Sequence, residues 1–192
     1  KNMNSKDLNI LIKKISFFLD IGINNIALLF DDLPNNFKEK NGQNLSEGKI
    51  HAQLINSISR FFKKPFFVVP RIYAEELVFE DKNYLTDYGN QINKSNITFF
   101  SGEYVVSNVV ERKLIKNLKD VIKTKIIIWD NFYANDYCPR RIFVGPFTGR
   151  NKIDNIMINP TGLIETDLLI LDIVESTKNL FSPKLAWKKV LK

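Results

Sequence analysis

The segment IIIWDNFYANDY, from Ile126 to Tyr137, runs from three isoleucines into a cluster of aromatic, carboxylate and amide side chains. The isoleucines predict a buried strand, and the carboxylates and amides that follow would be costly to bury without partners. Polar clusters at the carboxyl ends of strands are typical of active sites in α/β barrels. The segment therefore predicts an α/β protein whose functional side chains follow its strands.

Similar short apolar runs recur along the chain at intervals of roughly thirty to forty residues, the length of a strand-plus-helix unit. Each run is continuous rather than alternating, which predicts strands that are covered on both faces. The runs are Ile26–Phe30, Phe66–Val69, Ile97–Phe100, Ile126–Trp129 and Asn155–Ile158.

Helical patterns lie between these runs, and Ser46 and Ser182 are placed to cap two of the helices. The alternation of strands and helices predicts parallel pairing and an α/β fold. Long connections are predicted over residues 32–45, 70–96 and 130–152, and loops of such length are usually functional. The predicted helices are Asp7–Asp20, Ser46–Phe62, Val110–Ile122, Thr166–Leu180 and a short helix from Pro183 to near Leu191.

The composition limits the possible classes of protein. The 192 residues are enough for one domain, predicted over residues 1–192, and no apolar run is long enough to predict a membrane span. The net charge of +7 makes nucleic acid a candidate partner, but the lysines are scattered, which favours a solvated surface and no nucleic acid. Residues Lys1 to Asp7 lack the apolar centre of a signal peptide, and the chain does not begin with Met. The N-terminus is therefore expected to be missing, and the compartment stays open.

Soft metal ligands are scarce. Cys138 and His51 are the single cysteine and the single histidine, so no intramolecular disulfide can form and a zinc site is not expected. A Ser-His-Asp or Cys-His catalyst would need His51, which lies in a predicted helix. A structural histidine that makes a hydrogen bond is the favoured interpretation.

Asp31 and Asp32 are adjacent carboxylates at the end of the first predicted strand. On a strand, neighbouring side chains point to opposite faces, so one carboxylate is expected to point into a barrel mouth and the other across its rim. Two close carboxylates raise each other's pKa, which suits a general acid beside an ionised partner. A helix cap and a pair of ligands for a divalent metal are the alternatives.

Aromatic residues accompany the polar strand ends. Tyr73, Trp129 and Tyr137 could stack on the apolar C–H faces of a sugar, although a single aromatic residue is more often part of a core. Together with the carboxylates and amides that follow the strands, these rings indicate a carbohydrate pocket.

Three motifs resemble the catalytic domain of glycoside hydrolase family 84, whose members are O-GlcNAcases and related bacterial β-N-acetylglucosaminidases, some labelled hyaluronidases. They are Ala27–Asp32, Trp129-Asp130-Asn131 followed by Ala134–Tyr137, and Gly145–Arg150, with Asn159-Pro160 falling where the family has an Asn-Pro pair. The resemblance extends from about Asn25 to the C-terminus. It implies a TIM (β/α)8 barrel and a retaining, substrate-assisted mechanism.

By this resemblance, Asp31 orients the substrate's 2-acetamido group, whose carbonyl oxygen attacks the anomeric carbon to form an oxazoline. Asp32 protonates the leaving oxygen and then acts as a base on water. The implied substrate is a terminal β-linked N-acetylglucosamine on a glycoprotein or glycan, and no cofactor is implied. Sugar contacts are implied for Tyr73, Trp129, Asn131, Asp136 and Asn159, with Ser101, Val105 and Val106 near the pocket edge.

The chain supplies five of the eight strands of such a barrel, and a full barrel needs about 250 residues. The sequence therefore predicts an incomplete barrel, strands four to eight, with two open edges, as a fragment of a longer protein. A non-catalytic carbohydrate-binding remnant is the second hypothesis, and a basic nucleic-acid-binding module is the third.

Overall fold

A computed structural model describes residues 5–37, 46–150, 153–180 and 182–192. The strands are β1 (Ala27–Leu29), β2 (Phe67–Val69), β3 (Ile97–Phe100), β4 (Lys125–Asp130) and β5 (Ile156–Ile158). The helices are α1 (Ser5–Asp20), α2 (Glu47–Phe62), α3 (Tyr84–Gln91), α4 (Arg112–Ile122), α5 (Ile164–Leu180) and α6 (Pro183–Val190), with a 3-10 helix at Glu75–Glu80.

The strands form one sheet in the order β1-β2-β3-β4-β5, in which β1, β2 and β3 pair in parallel, as do β4 and β5. This confirms the predicted parallel α/β character. The chain forms two compact units. The first comprises Lys1–Tyr73, Leu77–Phe99 and Asn117–Ile126, and the second comprises Ala74–Glu76, Phe100–Lys116 and Ile127–Lys192.

In the first unit, α1 and α2 pack their apolar faces around Ile15, Ile58 and Phe66, which are almost completely buried. Helix α2 begins where Ser46 was predicted to cap it, and the Ser46 hydroxyl accepts the Lys49 N–H at 3.3 Å. Gly48 lets α2 approach α3 closely, because a Cβ there would lie 2.2 Å from the Tyr84 carbonyl oxygen.

In the second unit, Tyr133, Phe147 and Ile173 form a core against α5 and α6. The Tyr133 hydroxyl donates to the Gly145 carbonyl at 2.8 Å, so this buried phenol is satisfied. Ser182 precedes α6 with an extended backbone, but its side chain makes no capping hydrogen bond, so the predicted cap is wrong in that respect.

Two other expectations need correction. The predicted connection over residues 70–96 contains the 3-10 helix and α3, whose short sequence YLTDYGNQ is too polar to stand out as a helical pattern. The prediction that the strands are covered on both faces holds for β2 and β3. It fails for the outer strands, where Leu29 of β1 is 55 % exposed and Met157 of β5 is 40 % exposed. These strands come first and last in the sheet order, and each pairs with one other strand among the described residues.

No helix within the described ranges combines the length and apolar character required to cross a bilayer.

Candidate active site

Asp31 and Asp32 lie in a turn directly after β1. Strand pairing ends with the Phe30 N–H, which donates to the Val69 carbonyl at 2.9 Å, and the Leu33 N–H then donates back to the Phe30 carbonyl at 3.2 Å. The expectation that both carboxylates sit on an extended strand and alternate between its faces is therefore wrong. The turn half-buries Asp31 and leaves Asp32 exposed.

The electrostatic environment of Asp31 favours its protonated form. Burial is the main reason that its pKa is raised, and the negative charge of Asp32 raises it further, against a backbone hydrogen bond that lowers it. Of this pair, the resemblance assigns proton donation to Asp32. Which carboxyl acts as the acid stays a prediction that separate substitutions can test.

A buried network supports the turn from within the first unit. The Phe30 ring stacks on the His51 ring with centroids 4.2 Å apart. The Tyr84 hydroxyl accepts the backbone N–H of Arg71 at 3.0 Å and lies 2.8 Å from Nδ1 of His51. The hydroxyl proton is thus free to donate to His51, which confirms the structural interpretation of this histidine.

We expect His51 to stay neutral far below its ordinary pKa. Burial, and secondarily the Arg71 charge, lower the pKa of His51 from 6.5 to about 4. Between pH 6.5 and 4, His51 therefore binds a proton in the unfolded chain but stays neutral in the folded chain. The free energy of unfolding should fall as the pH drops through this window, by on the order of 3 kcal/mol in all. Because the chain has one histidine, a single set of ring signals in NMR reports this titration directly.

The matched control is His51→Gln, in which the fall in stability between pH 6.5 and 5 should flatten because no histidine titrates. A ring pKa near 6.5 in the folded protein would contradict the burial argument.

Arg71 is a buried cation that the sequence did not single out. Its Nε and Nη2 atoms both lie 2.8 Å from Oε2 of Glu47, and Nη1 contacts Oε2 of Glu80. Tyr73, two residues further along, is half-buried. A cavity of about 170 Å³ lies beside this cluster, lined by Asn35, Asn36, Phe37, Glu47, Arg71, Glu80 and Asp81.

In the second unit, the structure brings four of the predicted residues together. The Asn131 side-chain amide donates to the Val105 carbonyl at 2.8 Å and to the Ser101 hydroxyl at 3.2 Å. Its oxygen accepts the Asn159 side-chain amide at 3.0 Å. The two amides therefore form a hydrogen-bonded pair, which we call the amide pair, at the carboxyl ends of β4 and β5.

Trp129 and Asp136 lie on either side of Asn131 in sequence. Trp129 is half-buried in β4 and stands in register with Met157 of β5. Asp136 is exposed in the following loop, where its carboxylate accepts the Tyr137 N–H at 3.0 Å. The structure does not hydrogen-bond Asp136 to the amide pair.

The ion pair between Asp130 and Arg150 was not predicted from the sequence. Both side chains are 2 % exposed, and the guanidinium meets the two carboxylate oxygens at 2.8 Å each. The available signal was a carboxylate directly after the apolar run from Ile126 to Trp129, because a buried carboxylate needs a buried cation.

Among residues 5–37, 46–150, 153–180 and 182–192, no group of three or more His, Cys, Asp or Glu side chains is placed to hold a metal ion.

Comparisons with known proteins agree with the motifs. The sequence profile of the β-N-acetylglucosaminidase family matches residues 1–167. The O-GlcNAcases of Mus musculus and Rattus norvegicus are each 27 % identical in an alignment 180 residues long, which covers 88 % of this chain and 20 % of theirs. The chain thus spans about a fifth of the length of these curated relatives.

Two solved structures share the fold. A mutant of the Thermobaculum terrenum O-GlcNAc hydrolase superposes with a TM-score of 0.85 at 20 % identity, over 99 % of this chain and 44 % of its own. The structure of CpGH84B gives 0.80 at 22 % identity, over 96 % and 34 %. Since the family profile spans most of the sequence, the chain belongs to the β-N-acetylglucosaminidase family.

Proposed function

We propose that this chain is part of an enzyme that hydrolyses terminal β-linked N-acetylglucosamine from glycoproteins or glycans. The observation that carries the proposal is the turn after β1, where a half-buried Asp31 with a raised pKa adjoins an exposed Asp32. Two adjacent carboxyl groups in unequal environments can divide between them the roles of proton donor and ionised partner.

The proposed mechanism is retaining and substrate-assisted. Asp31 accepts a hydrogen bond from the acetamido N–H and directs the carbonyl oxygen at the anomeric carbon. Asp32 gives its proton to the leaving oxygen as the oxazoline forms, and then takes a proton from the water that opens it. An internal nucleophile aimed in this way can lower the barrier by about 7 kcal/mol or more.

The sugar contacts are proposed for the side chains that follow the other strands. Asn131 and Asn159 offer hydrogen-bonding groups to hydroxyls, and the exposed carboxylate of Asp136 can accept from the 4- and 6-hydroxyls of the sugar. Further sugar contacts are proposed for Tyr73 in the first unit and for Trp129 and Val105 in the second.

We further propose that residues 1–192 are strands four to eight of a (β/α)8 catalytic barrel. The exposed side chains of Leu29 and Met157 on the outer strands support this, because a closed barrel leaves no edge strand uncovered. A carbohydrate-binding remnant without catalysis is the second candidate, and these same exposed outer strands favour it.

A pair of fluorogenic substrates tests the proposal. The chain should release the fluorophore from a β-N-acetylglucosaminide but not from the matching β-glucoside, whose 2-hydroxyl cannot replace the acetamido nucleophile. Equal release from both would overturn the substrate-assisted mechanism. Calorimetric binding of N-acetylglucosamine without release from either substrate would favour the remnant, and neither binding nor release would reject both functions for this chain.

A further inference from the structure

Every N–H group of the Arg150 guanidinium has an acceptor. Nε and one hydrogen of Nη2 bind the Asp130 carboxylate, and the other Nη2 hydrogen binds the Ser107 carbonyl at 2.5 Å. Nη1 binds the carbonyls of Asn108 at 2.5 Å and Thr148 at 2.9 Å. An arginine has five N–H donors in a rigid fork, so all the donors of this side chain are hydrogen-bonded.

These hydrogen bonds join three segments of the second unit. They connect the end of β4, the loop that contains Ser107 and Asn108, and the chain around Thr148. The guanidinium also lies over the Phe132 ring, 4.2 Å from its centroid, which adds a cation–π contact.

Gly149 brings the last two segments into close contact. Its φ of +75° suits glycine, and a Cβ there would lie only 2.3 Å from the Asn108 carbonyl oxygen. Its own carbonyl accepts the Val110 N–H at 3.1 Å. The loop that Arg150 holds is therefore fixed at two further points.

The amide pair is hydrogen-bonded to two of these segments. The backbone carbonyl of Asp130 accepts the backbone N–H of Asn159 at 2.9 Å. The Val105 carbonyl, in the loop that Arg150 holds, accepts the Asn131 amide at 2.8 Å. Each member of the pair is thus one hydrogen bond from a segment that the guanidinium fixes.

The two amides differ in the hydrogen-bond donors and acceptors that they still have for a sugar. Asn131 uses both of its N–H groups on Ser101 and Val105, so it can offer a ligand only a remaining lone pair of its oxygen. Asn159 uses one N–H on Asn131 and, in the part of the chain that the structure describes, keeps its other N–H and its oxygen. The hydrogen bond to Asn131 therefore fixes the orientation of the Asn159 side-chain amide, with its nitrogen towards Asn131.

We propose that Arg150 is a positioning residue, which acts through Asp130 and the Val105 loop to hold the amide pair with Asn159 ready to donate to and accept from a sugar hydroxyl. The sugar-binding part of this inference rests on the proposed function. The orientation of the amides does not, and it can be measured without a sugar.

The test compares Arg150→Lys with Arg71→Lys in the ¹⁵N-labelled chain. Both changes keep a positive charge and remove a guanidinium that pairs with a buried carboxylate, but Arg71 pairs with Glu47 and Glu80 in the first unit. The side-chain amide signals of Asn131, identified by their loss in Asn131→Asp, should move in Arg150→Lys and stay in place in Arg71→Lys. Unmoved signals in Arg150→Lys, or equal movement in both variants, would overturn the proposal.

A titration with N-acetylglucosamine gives the second readout. Arg150→Lys should bind about tenfold more weakly than wild type, the loss expected for one hydrogen bond to the sugar. If wild type shows no binding, the proposed sugar site fails for this chain, while the amide signals still decide the role of Arg150. Should Arg150→Lys not fold, Asp130→Asn retains the side-chain shape and is expected to shift the same signals, and unmoved signals there would also overturn the proposal.

Discussion

Replacing Asp32 by Asn should lower the turnover of an aryl β-N-acetylglucosaminide by roughly 10²- to 10⁴-fold, the usual contribution of a general acid. The loss should be smallest for substrates with acidic phenol leaving groups, because these depart without a proton. The measurement is kcat for a series of aryl β-N-acetylglucosaminides, plotted against the pKa of the released phenol. Full activity of Asp32→Asn would reject its role.

Asp31→Asn is the matched variant, since the same isosteric change is made one residue earlier. If Asp31 orients the acetamido group, its loss should slow all members of the series by a similar factor. Burial and the neighbouring charge raise the pKa of Asp31, so the reverse assignment is chemically reasonable. Leaving-group dependence that appears in Asp31→Asn instead of Asp32→Asn would establish the reverse assignment.

Local patterns predicted much of the fold. The five strands and the helix capped by Ser46 follow from short apolar runs, helical spacing and a single hydroxyl, all of which act between near neighbours in sequence. Helix α3 was not predicted because its largest buried side chains are two tyrosines that lie among polar residues. Tyr84 and Tyr88 are buried only because partners distant in sequence, including His51 and Thr98, satisfy their hydroxyls.

The candidate site was predicted unevenly for the same reason. Motif resemblance selected Asn131, Asn159 and Val105, and the structure joins them by hydrogen bonds. The pairing of Asp130 with Arg150, twenty positions apart, depends on three segments meeting in space, which no local pattern encodes. The turn at Asp31 likewise depends on where pairing with β2 ends.

Arg71→Met should destabilise the fold by roughly 3 to 5 kcal/mol, because it leaves a buried carboxylate without its cation. Glu47 and Arg71 are each 3 % exposed, and two guanidinium nitrogens lie 2.8 Å from one Glu47 oxygen. The measurement is guanidinium-induced unfolding at pH 7. Lys113→Met, which removes an exposed cation from α4, is the control and should change stability by no more than about 0.5 kcal/mol.

The double variant Glu47→Leu/Arg71→Met separates an uncompensated charge from lost packing. With Glu47 and Arg71 both apolar, the carboxylate that loses its cation is Glu80, which is 22 % exposed and can be hydrated, so stability should recover most of the way to wild type. Burial already raises the pKa of Glu47 against the opposing effect of Arg71, so without Arg71 that pKa should rise further. As the pH falls, Glu47 in the folded Arg71→Met variant then binds a proton before Glu47 in the unfolded chain does. The loss in free energy of unfolding relative to wild type should therefore be smaller at pH 5 than at pH 7. A double variant less stable than Arg71→Met alone would mean that packing around the guanidinium, rather than its charge, holds this part of the first unit together.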